Sequence, residues 1–137
     1  VNYRTVKKIE TTEDLEDAVA KFLNDKTKNK TLAKIYQAVR IEVNAEISTL
    51  EQMLEQTTRL LKPGGRLVVM SYHSLEDRLV KNLIQTGNTA GERVADPFGN
   101  LPVVYKTLSK KPIMASSEEI ERNTRARSAK LRIAERI

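Results

Sequence analysis

The sequence has 137 residues, 24 basic and 18 acidic side chains, a net charge of +6, one histidine and no cysteine. This length fits one domain or a large piece of one. The lack of cysteine excludes a disulfide framework and a thiolate metal site, and a single histidine argues against a zinc site of the usual kind. No apolar run is long enough to span a bilayer and the first residues lack a secretory pattern, so we expect a cytoplasmic protein without a membrane partner.

The N-terminal part of the sequence predicts helices. The chain begins at Val1 and not at a methionine, which is typical of an excised or truncated piece. Thr11 and the acidic residues after it predict a helix start, and a polar loop is expected at residues 24–30. One broad apolar face from residue 31 to about 61 predicts one bent helix or two. The first helix carries an apolar stripe at Leu15, Val19, Phe22 and Leu23.

A buried strand followed by a helix is predicted in the middle of the chain. The apolar run Leu67–Met70 follows a Pro-Gly-Gly turn and predicts a strand buried on both faces, as parallel strands between helices are. A helix is expected from about Ser74, which is placed to cap its first turn, to Ile84. His73 therefore lies where the strand passes into a helix, and in open α/β sheets ligands bind at the carboxyl ends of strands.

The rest of the chain predicts a loop, two short strands and a capped helical turn. Residues 86–102 are rich in Gly, Asn, Asp and Pro and predict a surface loop, and residues 103–108 predict a short strand. A helical turn is expected from Ser116. So little sheet cannot complete a doubly wound domain, so we expect its upstream half to be missing. A last strand with one apolar and one largely basic face is predicted from the alternation of Ala129, Leu131 and Ile133 with Lys130, Arg132 and Ala134.

Positive charge is concentrated at the end of the chain, where residues 122–137 hold six basic side chains and the single acid Glu135. A concentrated basic stretch is typical of a surface that binds the phosphate backbone of a nucleic acid. The alternative is a solvated terminal strand whose charges block edge pairing. Charge alone leaves both interpretations open.

Three strings in the sequence resemble a known family. They begin at Tyr36 (YQAVRIEVN), Leu61 (LKPGGRLVVMSYHSLEDR) and Arg125 (RARSAKLRIAER), and together they resemble the MraW family. Its members are class I S-adenosylmethionine-dependent methyltransferases that modify N4 of a cytosine in the decoding region of the small-subunit ribosomal RNA. The resemblance covers nearly the whole chain, and the HSLEDR and RARSAKLR strings in this order are its most specific part.

The sequence also departs from the family pattern. Tyr36 and Tyr72 stand where the family usually has phenylalanine, and Thr124 stands where it usually has proline. The glycine-rich cofactor motif, the acidic residue that binds the ribose and the Asp-containing motif after the fourth strand have no counterpart. The resemblance therefore implies only the C-terminal half of such an enzyme, with no cofactor-binding residue in this chain.

The resemblance implies an α/β fold that is the C-terminal part of a class I, Rossmann-like sheet. Residues 1–30 would be the end of an inserted helical subdomain and a loop, and residues 31–137 the C-terminal half of the methyltransferase domain. The complete enzyme would use S-adenosylmethionine and act on small-subunit ribosomal RNA, whereas this chain alone would be inactive. Because a neighbour of the buried strand would be missing, the chain is expected to self-associate, as a twofold dimer through the open edge or by exchange of its N-terminal helices.

With the resemblance, His73 becomes a candidate for orienting the cytosine or accepting a proton from it, beside Ser74, Glu76 and Asp77 as further catalytic candidates. The alternative is that His73 only fixes the turn, while Glu76 and Asp77 favour the helix N-terminus through its dipole. Arg40, beside an apolar face, is expected to form a structural ion pair. The RNA-binding candidates are Arg78, Arg125, Arg127, Lys130 and Arg132.

Two other functions compete with the enzyme interpretation. A non-catalytic basic RNA-binding domain would need only the basic tail and would lack a cofactor motif. A small-molecule methyltransferase of the same fold is disfavoured by the tail's charge and by the specific strings.

Overall fold

The computed structural model describes residues 2–101 and 103–137, so Val1 and position 102 of the predicted loop lie outside the described residues. The chain divides into two compact units, Val1–Glu46 and Ile47–Ile137. The assignment of residues 1–30 to an inserted subdomain and of residues 31–137 to a methyltransferase domain stays a prediction.

The first unit is helical. It contains a 3₁₀ turn at Asn2–Thr5, helix α1 at Thr12–Val19, a second 3₁₀ turn at Ala20–Phe22, and helix α2 at Lys28–Val43. The N–H of Asp14 donates to Oγ1 of Thr11 over 3.1 Å, and the Asp14 carboxylate accepts from the N–H of Thr11 over 3.0 Å. This reciprocal cap confirms the predicted helix start. Helix α2 begins inside the segment that was expected to be a loop.

The helical pattern of residues 31–61 consists of two helices and not one bent helix. Helix α2 ends at Val43, and helix α3 spans Glu46–Leu60. Between them Ala45 has φ 50°, a left-handed conformation that an α-helix cannot contain. This residue therefore interrupts the helical pattern, although the apolar sequence pattern continues through it.

The second unit contains a small antiparallel sheet. Strands β1 (Arg66–Ser71) and β2 (Tyr105–Thr107) both pair antiparallel with β4 (Lys130–Arg136), so β1 and β2 run parallel to each other on either side of β4. Helix α4 (Ser74–Thr86) connects β1 to β2. The Leu67–Met70 run pairs with the last strand, with Leu67 opposite Ala134 and Met70 opposite Leu131.

Two further short elements lie between β2 and β4. Strand β3 (Ile113–Met114) pairs with β4, and helix α5 (Ser117–Arg122) is capped by Oγ of Ser116, which accepts the N–H of Glu119. This confirms the predicted helical turn. A 3₁₀ turn at Thr124–Ser128 then leads into β4.

One face of the sheet is covered by helices α3 and α4. Leu54 of α3 is fully buried against Val80 and Leu83 of α4 and against Leu67 and Ala134 of the sheet. Burying apolar side chains of this size stabilises the unit by about 1.5–3 kcal/mol for each leucine or valine. This packing sets the position of α4, and so of the turn that precedes it.

The prediction that the Leu67–Met70 strand is buried on both faces is wrong for this chain. Val68 is 56% exposed and Met70 51% exposed, because both point away from α3 and α4. Met70 lines a groove together with Glu119 of α5 and Ala126 of the following 3₁₀ turn, and this leaves it half exposed. Its neighbour β4 is antiparallel to β1, and the strands that run parallel to β1, β2 and β3, pair with β4 instead.

The interpretation of the last strand as a solvated edge is also wrong. Strand β4 lies between β1 and β2, and Ala134 on its covered face is fully buried. Because side chains alternate along a strand, Lys130 and Arg132 share this face with Ala134 and point towards α4. The face predicted to be basic is therefore the covered one, and Leu131 and Ile133 lie on the other.

Candidate functional site

The turn between β1 and α4 is held by a reciprocal cap between His73 and Glu76. Nδ1 of His73 accepts the N–H of Glu76 over 3.4 Å, and Oε2 of Glu76 accepts the N–H groups of His73 over 3.3 Å and of Tyr72 over 2.9 Å. The N-cap is thus His73 and not Ser74, the residue the sequence predicted. Both arrangements satisfy backbone donors that the start of a helix leaves free.

The ring of His73 is largely enclosed, with its side chain 13% exposed. Because Nδ1 accepts a hydrogen bond, the neutral ring carries its proton on Nε2. Nε2 is buried, has no hydrogen-bond partner among the described residues and lies 3.4 Å from Oε1 of Glu76. Oε1 is the oxygen of Glu76 that does not accept the two backbone N–H groups, so it keeps its acceptor capacity for the imidazole.

Other side chains of the turn point outward. Tyr72 is 56% exposed, and Ser74 and Arg78 are exposed as well. Within the part of the chain that the structure describes, Arg78 forms no ion pair. Ser74 and Arg78 are therefore available to a ligand, whereas Nδ1 of His73 and Oε2 of Glu76 are used in the cap.

Asp77 lies in a different environment from the other predicted catalytic candidates. Its Oδ1 accepts from Nε of Arg132 over 2.6 Å, and its Oδ2 accepts from Nη2 of Arg132 over 3.1 Å and from Nζ of Lys130 over 3.3 Å. The Arg132 guanidinium, aided by Lys130, holds the pKa of Asp77 below its usual range although burial opposes this. The structure thus brings one catalytic candidate together with two RNA-binding candidates in one ion cluster.

Arg125 and Arg127 remain at the surface. Both belong to the 3₁₀ turn Thr124–Ser128, in which Oδ1 of Asn123 accepts the N–H of Arg125 and Ala126 is buried. Both arginines are exposed, and the structure gives neither an ion pair among the described residues. Of the predicted RNA-binding residues, Arg78, Arg125 and Arg127 therefore keep free charges.

A shallow groove of about 160 Å³ connects the turn after β1 with this basic 3₁₀ turn. Its lining includes Met70, Tyr72, Glu119, Asn123 and Ala126. Neither Tyr72 nor Asn123 is among the site residues that the sequence predicts. The signal for Tyr72 was its position, because an exposed aromatic ring at the carboxyl end of a strand is a common platform for a planar ligand.

The described residues contain no glycine-lined turn at the carboxyl end of β1 that would fit S-adenosylmethionine. Gly64 and Gly65 lie at the amino end of β1, and the chain's other glycines, Gly87, Gly91 and Gly99, follow α4. The turn at the carboxyl end of β1 contains no glycine and is closed by the His73–Glu76 cap. A backbone that must approach a cofactor closely usually needs glycine, so the described part of the chain does not fit this cofactor by itself.

Nε of Arg40 lies 2.9 Å from Oε1 of Glu46, which confirms the predicted structural ion pair. The described residues contain no group of three or more histidine and acidic side chains that could hold a metal ion. None of the helices in the described ranges is both long and apolar enough to cross a membrane.

Comparison with known proteins gives a single family. The sequence model of the MraW methylase family matches residues 1–137. Proteins named ribosomal RNA small subunit methyltransferase H are 53% identical in Flavobacterium johnsoniae and 50% identical in Parabacteroides distasonis, over 137 residues in both cases. Each alignment covers all of this chain and 45% of the relative, so the chain spans less than half the length of the curated relatives it matches.

Proposed function

The chain belongs to the MraW methylase family, and from this we propose that it is part of a methyltransferase that modifies N4 of a cytosine in small-subunit ribosomal RNA. S-adenosylmethionine would supply the methyl group in the complete gene product, and the cytoplasm would be its location. The observation that best supports this proposal is the groove between Tyr72 and the basic 3₁₀ turn. Tyr72 gives the groove an aromatic surface for a base, and the exposed cations Arg125 and Arg127 flank Ala126, which lines the groove.

The chemistry sets three requirements. The amino group of cytosine is a poor nucleophile because its lone pair is delocalised into the ring, so the base must be held in a fixed orientation. A polar group must accept the proton that the nitrogen loses. The base must also leave its stack to enter a pocket, where an aromatic side chain replaces the lost stacking.

In this proposal the capped turn after β1 forms one wall of the target-base site. Tyr72 stacks on the unstacked base, and Ser74 offers a hydroxyl at the exposed start of α4. Arg78, Arg125 and Arg127 bind phosphates on either side of the flipped nucleotide, which fixes the register of the RNA without reading its sequence.

His73 and Glu76 would act as a pair. With Nδ1 in the cap and the proton on Nε2, the imidazole can donate a hydrogen bond but cannot accept a proton at Nε2. We therefore assign His73 the orienting role of the two roles considered. Oε1 of Glu76, which lies 3.4 Å from Nε2 and accepts neither backbone N–H of the cap, would receive the proton, directly or through a water.

The competing function, a non-catalytic basic RNA-binding domain, has less support. It depended on the basic tail, and two of the tail's cations, Lys130 and Arg132, are bound to Asp77. The expected self-association of this chain, in contrast, is still supported, because the described residues leave one edge of β1 unpaired.

The function is tested with the complete gene product, small-subunit particles that lack the modification, and S-adenosylmethionine carrying a labelled methyl group. The expected result is one labelled N4-methylcytosine, identified by nuclease digestion and mass spectrometry. A label on another nucleotide would refute the cytosine assignment. No label on RNA from an enzyme that binds the cofactor would refute the proposed function.

A further inference from the structure

One carboxylate at the start of α4 binds two cations from the neighbouring strand. Asp77 lies in the first turn of α4, and Lys130 and Arg132 lie on the covered face of β4. The contact with Arg132 is bidentate, through Nε over 2.6 Å and Nη2 over 3.1 Å, and Lys130 adds a longer contact of 3.3 Å. A planar guanidinium that matches both oxygens of a carboxylate fixes its orientation as well as its charge.

The cluster is shielded from water. The side chains of Asp77 and Arg132 are 10% and 14% exposed, whereas Lys130 is 34% exposed. Charges that are so enclosed are costly unless they are paired. Neither oxygen of Asp77 is free to accept a proton from a substrate, and the Arg132 guanidinium is not free to bind a phosphate. Both residues therefore need a role other than the direct contacts that the sequence suggested.

The position of the cluster indicates that role. The N–H of Asp77 donates to the carbonyl of His73 over 3.1 Å, so Asp77 belongs to the same turn of helix as the His73–Glu76 cap. Arg132 stands opposite Val69 of β1, and Lys130 stands opposite Ser71, where β1 ends. The ion cluster thus connects the first turn of α4 to β4, next to the turn that contains Tyr72, His73 and Ser74.

We infer that Asp77 and Arg132 are positioning residues that hold the turn between β1 and α4 in its working geometry. The inference rests on the proposed function, because it assumes that this turn borders the reacting base. When the Asp77–Arg132 ion pair is removed, α4 stays packed through its apolar face, but its first turn is free to shift relative to β4. A displacement of about 1 Å at a reacting centre lowers turnover on the order of a hundredfold.

The test compares Asp77→Asn, Arg132→Gln and the double variant in the complete gene product, with Lys81→Gln as a matched control. Lys81 is an exposed cation of the same helix. Both single variants are expected to lower kcat by about tenfold to a hundredfold while KM for RNA changes by less than about threefold. Because the two residues act through each other, the double variant should lose no more than the worse single variant. Arg132→Lys keeps the positive charge but not the planar guanidinium that makes the bidentate contact, so its kcat should lie between those of Arg132→Gln and the parent.

Two measurements separate positioning from the alternatives. Arg132→Gln should leave the salt dependence of RNA binding unchanged. A smaller slope of the logarithm of the binding constant against the logarithm of the salt concentration would show that Arg132 contacts phosphate, and would overturn the inference. Amide hydrogen exchange should become faster at Glu76 and Asp77 in both single variants, but not at Leu83 near the end of α4. Folded variants with the parent's kcat, or with the parent's exchange at these amides, would also overturn it.

The outcomes distinguish this inference from the proposed function. A parent protein that methylates no small-subunit RNA refutes the proposed function, and the exchange measurement then still decides whether the cluster orders the turn. An active parent whose variants keep the parent's kcat refutes the positioning role alone.

Discussion

The side chains of His73 and Glu76 cap the start of α4 reciprocally, with Nδ1 of His73 accepting the N–H of Glu76 and Oε2 of Glu76 accepting the N–H of His73. The imidazole therefore has a structural task whether or not it also has a chemical one. A substitution that removes both tasks cannot distinguish them. Asparagine can, because its side-chain oxygen caps helices well and it has no imidazole.

We predict that His73→Asn keeps the stability of the complete gene product but lowers kcat by at least about tenfold, because orienting and proton-transfer groups contribute on the order of 10²–10⁴ to rate. His73→Ala should lose as much activity and, in addition, about 1 kcal/mol of stability with the cap. Steady-state kinetics and thermal melts of both variants provide the measurement. If His73→Asn has the parent's kcat, His73 is only a cap.

The sequence located this turn but not its internal contacts. The apolar run of β1, the following helical spacing and the position of His73 between them could all be read from periodicity. The choice of cap could not, because Ser74 and Asp77 have the same spacing as His73 and Glu76 and serine is the stronger capping residue. In the structure Asp77 is bound to Arg132, which leaves the cap to Glu76 and His73.

Sequence patterns also could not show which face of β4 is covered by a helix. Alternation predicts that Lys130 and Arg132 share one face, but not whether that face points to solvent or to a helix. The answer depends on Asp77, which is distant in sequence and adjacent in space. Strand β3 was not predicted, because Ile113–Met114 is too short to show any periodicity.

We predict that Arg125 and Arg127 contribute to RNA affinity through phosphate contacts. Replacing both with glutamine should reduce the salt dependence of binding, with a loss in slope of about 0.7–0.9 for each phosphate contact removed. Binding of small-subunit RNA measured between low and high salt tests this. Lys81→Gln is the control, because it removes an exposed charge from α4. An equal loss of slope in the control, or an unchanged slope in the double variant, would contradict the prediction.

A pH dependence of stability is expected from Asp77. The Arg132 guanidinium lowers its pKa in the folded state, so the ion pair stabilises the fold above the unfolded-state pKa of about 3.9 and ceases to do so as the pH falls through the lower folded-state value. At pH 7 Asp77→Asn should be less stable than the parent by about 2 kcal/mol. Denaturant melts at a series of pH values should show this difference shrinking below about pH 4. A difference that stays constant on acidification would contradict the assignment.

We predict that this chain alone does not bind S-adenosylmethionine tightly. No glycine lies in the turn at the carboxyl end of β1, and this turn is closed by the His73–Glu76 cap. Calorimetric titration of the cofactor into the chain should give no heat of binding, whereas the complete gene product serves as the positive control. Micromolar affinity in the chain alone would show that it contains a cofactor site after all.

The chain alone should self-associate through the open side of its sheet. One edge of β1 has no partner strand among the described residues, and Val68, Met70 and Tyr72 are each about half exposed beside it. Unpaired backbone donors and acceptors next to an apolar surface are a template for pairing with a second copy, and a twofold axis lets both copies bury the same edge.

Light scattering across a range of concentrations measures this association, and the expected result is a shift from the 15.5 kDa chain to a species of twice that mass. Val68→Lys places a charge on the open face and should weaken the dimer, because a buried unpaired charge is costly. Gln52→Lys, which adds the same charge on the exposed side of α3, should leave it unchanged. A dimer that survives Val68→Lys would favour exchange of the N-terminal helices. A monomer that persists at high concentration and melts cooperatively would show that the open edge of β1 is stable without a partner.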